Sequence, residues 1–145
     1  MESSVVRQRV RDVLTQAKRP AEERRANRKA QMDAATREYE SFLVRVVNSL
    51  FKQVAQALRA EGGPKFDVFT PGSTVRLMSE RGNDDYIEIV LDTNGTAPKV
   101  LGRCSHTKGG NVTQTELVLN VTSDISTLNE DDLLGYVLSE LENFV

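Results

Sequence analysis

The chain has 145 residues, which suits one domain with a real core. It is 39% apolar and 28% charged, has no Trp, and contains no uncharged apolar run near the roughly 18 residues that read as a transmembrane helix. The single Cys104 excludes an internal disulfide and a cysteine-built zinc cluster within one chain, and it suits a reducing, cytoplasmic setting.

Net charge is -2, but it is unevenly placed. Residues 1–37 hold ten Lys/Arg against five acids, a balance of +5, and the remainder balances at -7. The pattern reads as a basic arm on an acidic body. Met1 to Arg19 alternates Val with Arg and has no apolar centre, so it does not read as a secretory signal. Ser3 or Ser4 caps a predicted helix to about Lys18, with Val6, Val10, Val13, Leu14 and Ala17 on one face. Pro20 lacks an N–H and is expected to interrupt that helix and open the next, with Glu22 and Glu23 near its positive end.

From Ala21 to Ala60 there is no Gly and no Pro. The most informative stretch is Tyr39 to Ala60. Its apolar residues Tyr39, Phe42, Leu43, Val46, Val47, Leu50, Phe51, Val54, Ala57 and Leu58 follow the spacing of a wide amphipathic face. Gly62, Gly63 and Pro64 end the helix.

After Pro64 the period changes from 3.6 to 2. Phe66 to Phe69 reads as a strand or an extended entry. Four longer strands follow, within 74–80, 85–93, 99–107 and 112–122. The intervening turns are Arg81–Asp84, Asn94–Gly95, a strong hairpin signal, and Lys108–Asn111. Short turns make the four strands consecutive antiparallel neighbours. Thr127 to Glu130 fits a capping box for a last helix to about Phe144, with Leu134, Val137, Leu138, Leu141 and Val145 as its apolar stripe.

The fold class is therefore α+β: a long N-terminal helix packed on a four-stranded antiparallel meander and closed by a C-terminal helix, in two layers. Residues 1–38 form a basic helical arm and 39–145 the α+β domain. In architecture this resembles cystatin-type or helix-grip arrangements, where a curved sheet wraps one helix. No motif carries the resemblance further, and fold analogy does not carry function.

Cys104 and His106 share a strand face, but the chain has no other Cys or His to complete a nucleophilic or metal site. The acids Asp84, Asp85, Glu130, Asp131 and Asp132 sit at turns and a helix start, their ordinary places. Glu88 and Asp92 are too far apart along one strand for a carboxylate dyad. Gly109–Gly110 lacks the spacing of a phosphate loop. Asn94–Thr96, Asn111–Thr113 and Asn120–Thr122 match the glycosylation pattern without a signal peptide to use it. No catalytic, cofactor or metal residue emerges, and the residues give little from which to build an enzyme.

The first expectation is a non-catalytic interaction module that self-associates or binds a protein partner, with no membrane role. The second is a small-ligand pocket between curved sheet and helix, lined by Tyr39, Arg76, Tyr86, Arg103 and His106. The third is nucleic-acid binding through Arg7, Arg11, Lys18, Arg19, Arg24, Arg25, Arg28 and Lys29. Against it stand a pI near 5.5 and the lack of aromatic residues among the basic ones.

Overall fold

The computed structural model describes residues 1–95, 97–121 and 124–145. The expected sequon residues Thr96 and Thr122, and the end of the last strand at Thr122, lie outside the described residues. The chain divides into two units, Met1–Ala34 and Ala35–Val145.

The first unit is helical and belongs to α1, Ser3–Phe42, which runs through Pro20 instead of breaking there. Proline removes one backbone donor and crowds the carbonyl four residues earlier, at a cost of about 3 kcal/mol. The strong helix formers on both sides outweigh that single loss. Val5, Val6, Val10, Val13 and Leu14 are all exposed.

In the second unit α1 passes into a π-helical turn, Leu43–Val47, and then α2, Asn48–Ala60. The buried positions come in pairs: Phe42 and Leu43, Val46 and Val47, Leu50 and Phe51, Val54 and Ala55. Their period is four, whereas an α-helix drifts by about 40° for every four residues. The wider π turn, closed by Asn48 N–H on the Leu43 carbonyl, absorbs part of that drift. Consequently Ala55, not the predicted Ala57, joins the core, and Leu58 is half-buried.

The sheet has five strands, not four. They are β1 (Phe66–Phe69), β2 (Val75–Ser79), β3 (Tyr86–Asp92), β4 (Lys99–Lys108) and β5 (Asn111–Val118), in the order β1-β2-β3-β4-β5 and antiparallel throughout. The segment at Phe66 is a full member, paired from Phe66↔Ser79 to Phe69↔Arg76. Phe66 is completely buried and α2 rests on this strand, so helix packing secures a strand too short to declare itself.

One turn behaves as its sequence demands. Gly109 and Gly110 take φ of +60° and +83°, a conformation that side chains disfavour, and join Lys108 directly to Asn111. Asn94–Gly95 does not. Neither residue has positive φ, the pairing stops at Asp92↔Lys99, and Asn94 N–H is held by the Asp92 carboxylate at 2.9 Å. Here a side chain has captured the turn, so the connection is longer than a two-residue hairpin.

One face of the sheet carries Phe66, Val75, Leu77, Ile87, Ile89, Val100 and Cys104, which share a core with Phe42, Val47 and Phe51. Leu133, Tyr136, Val137 and Phe144 join it from α3, Glu130–Leu141, and the turn Glu142–Phe144. This shifts the predicted stripe of the last helix: Leu138 and Val145 are exposed, and Leu133 and Tyr136 are core. The capping box lies two residues on from the predicted one. Asn129 accepts from Asp132 N–H at 3.0 Å, and Asp132 accepts from Asn129 N–H at 3.1 Å. Beyond β5, Leu119 continues the ladder to Val100, and the Asn120 side chain receives the Val100 N–H at 2.8 Å. Val121 is exposed.

Candidate functional site

The second face of the sheet is ordered in transverse rows, because residues directly opposite across each ladder share a face. One row reads Arg76, Glu88, Arg103, Glu116, alternating in sign across β2 to β5. The next reads Met78, Tyr86, Ser105, Gln114. A third sets Val90, Leu101 and Val118 side by side.

In the charged row, Arg76 Nη2 and Nε donate to one Glu88 oxygen at 2.8 and 3.0 Å. Its guanidinium also stacks 4.1 Å from the centre of the Tyr86 ring. Glu88 is 5% exposed, so its carboxylate is nearly desolvated, while the Arg76 side chain keeps 26% of its surface exposed. Arg103 Nε lies 2.8 Å from Glu116 Oε1, at an angle that makes it an ion pair and not a hydrogen bond. Tyr86, Glu88, Arg103, Gln114 and Glu116, with Cys104 and Thr115, line a cleft of about 280 Å³. Between Tyr86 and Gln114 in the next row, Ser105 is 1% exposed and its hydroxyl has no hydrogen-bond partner among the described residues.

Of the five residues expected around one pocket, Arg76, Tyr86 and Arg103 come together on this face. Tyr39 and His106 are elsewhere. The Tyr39 hydroxyl is 2.8 Å from the Ser73 carbonyl and 3.1 Å from that of Ile89, donating between them and tying helix to sheet. Burial, with the Glu88 charge adding to it, pushes its pKa up. His106 lies on the helix-covered face, edge-on to Phe144, with Nδ1 buried and unpartnered among the described residues.

Cys104 is also on the helix side. It is 1% exposed and accepts a long contact from the Asn143 amide at 4.0 Å. Burial first, then its hydrogen bond to the Glu140 carboxylate, pushes the thiol up to about 12, which removes it as a nucleophile near neutrality. No group of three or more metal-ligating side chains occurs among the described residues. No helix in them is long and apolar enough to cross a membrane.

On the first unit, Arg7, Arg11, Lys18, Arg19, Arg24, Arg25, Arg28 and Lys29 are all exposed along α1. Arg7, Arg11 and Lys18 flank Val10 and Leu14. Sequence reasoning weighed Glu88 only against Asp92 and missed Glu116, so the charged row went unseen. The signal was present: counting outward from the Gly109–Gly110 turn sets Glu116 opposite Arg103. Comparison with protein-family models, with curated proteins and with solved structures finds no match for this chain.

Proposed function

We propose that the chain is a non-catalytic interaction module that associates with a second copy of itself through α1. The supporting observation is the exposed apolar stripe Val6, Val10, Val13 and Leu14, flanked by Val5, on a helix that brings no other core of its own in Met1–Ala34. A helix of this kind draws its stability from covering its apolar face.

Five half-exposed side chains on each of two chains contribute about 1 kcal/mol apiece when covered. Association costs about 4–15 kcal/mol, so the dimer is weak. The arms carry like charge, +5 each over residues 1–37, and salt screens that repulsion. Association is therefore expected to strengthen as salt rises, whereas nucleic-acid binding through the same basic side chains would weaken.

Sedimentation equilibrium of the full chain tests the reading. A concentration-dependent mass, reduced in Val10→Glu/Val13→Glu, is the expected result. A monomer at about 100 μM, a concentration that reveals dissociation constants well above micromolar, overturns it.

A further inference from the structure

The two edges of the sheet are treated very differently. β1 has four residues, is followed by Pro71, and carries Asp67 in an ion pair with Arg59 at 2.6 Å. Those are ordinary ways of blunting an edge. β5 has eight residues, with no Pro, no Lys and no bulge in its pairing with β4. Residues 111–117 are exposed on both faces. Val112, Thr113, Thr115 and Val118 are β-branched, which favours extended backbone. Leu119 N–H bonds the Val100 carbonyl, so by alternation Thr113, Thr115 and Leu117 bond β4. The N–H and C=O of Val112, Gln114, Glu116 and Val118 then point outward, and no described residue bonds them.

We infer that the free edge of β5 pairs antiparallel with β5 of a second copy, on a two-fold axis through Thr115, making one continuous sheet. Two requirements restrict the register, and the match of opposing side chains chooses within them. Outward-bonding residues must meet one another, and each face must continue into the same face of the partner. Centring on Thr115 satisfies both. It sets Val112 against Val118, Gln114 against Glu116 and Thr113 against Leu117. A shift by two residues would set Val112 against Glu116. The only charge on the strand is Glu116, already neutralised by Arg103 of its own chain, so the copies meet without net repulsion. The strand is about 27 Å long, which gives an interface below the standard 800 Å² or so per partner. The pairing is accordingly weak and appears at high concentration.

The pairing is separate from the helix contact and is tested separately, in the full chain. Cys104 faces Thr115 across the ladder, so the background is Cys104→Ala. Two copies of Thr115→Cys then meet at a non-hydrogen-bonded position, with Cα atoms about 4.5 Å apart, inside the disulfide range of about 4.4–6.8 Å. Mild oxidation is expected to give a covalent dimer from Thr115→Cys and none from Thr113→Cys. Adding Gln114→Pro, which removes an outward N–H and no bond to β4, should abolish it, and adding Val10→Glu/Val13→Glu should not. No covalent dimer at position 115, or equal dimer at position 113, overturns the proposal. In the unaltered chain, the amides of Val112, Gln114, Glu116 and Val118 should exchange more slowly as concentration rises. Exchange independent of concentration overturns it as well.

Discussion

The ring of Tyr136 occupies the space over Gly102 where a side chain would stand: a Cβ built on Gly102 would lie 2.4 Å from Tyr136 Cζ. This contact seats α3 on β4, and it needs a residue with no Cβ. Gly102→Ala is expected to destabilise the fold by about 1–3 kcal/mol, the range for overpacking a core. Urea unfolding measures it. The same substitution made together with Tyr136→Leu should cost less, because the obstructing ring is gone. Tyr136→Phe should be neutral or stabilising, since the buried hydroxyl has no partner among the described residues.

The two ion pairs of the charged row differ in burial, and their variants should differ with it. Glu88 keeps 6% of its side chain exposed, and Glu116 keeps 56%. Arg76→Leu strands a buried carboxylate and should cost about 3–5 kcal/mol. Arg103→Leu breaks a solvent-screened pair and should cost about 0–1 kcal/mol. Equal losses in urea unfolding would refute the assignment of Glu88 to the interior.

Alkaline pH should unfold the protein early. Cys104, Tyr39 and Tyr136 all hold their protons more tightly in the fold than in the open chain. Unfolding above the ordinary thiol value of 9.0 therefore releases protons, and stability falls as pH rises through 9 to about 12 and beyond. Below pH 9 these groups are protonated in both states and contribute no slope. The urea midpoint, followed from pH 7 to 11, should decline only in the upper range. Cys104→Ala should make that decline shallower.

The cap of α3 is a fourth point of leverage. Asn129→Ala leaves the Asp132 N–H without its side-chain acceptor and should cost about 1 kcal/mol. Asp132→Ala breaks the reciprocal bond and should cost a similar amount. Thr127→Ala should cost less, because its hydroxyl bonds the Asp124 carbonyl and not the helix start.

Patterning gave away most of the fold. The apolar stripe at 42–54 and the alternation in β2, β3 and β4 follow from periodicity alone, and burial agrees with them at Leu43, Val46, Leu50, Val54, Leu77, Ile87 and Ile89. What escaped depends on partners distant in the chain. The strand at Phe66 is short and is secured by a helix. The pairs Val46–Val47 and Val54–Ala55 repeat every four residues, a sign of the π turn, yet a 3.6 period fits them nearly as well. Asn94–Gly95 lost to an aspartate side chain. The charged row was hidden because its members sit on four strands and meet only through register.

The sealed position of Cys104 makes the protein its own stopwatch. With the sulfur walled in and no second thiol in the sequence, a chromogenic disulfide reagent reaches it only when the layers part. The rate of the colour change then reports how often the unlabelled protein opens.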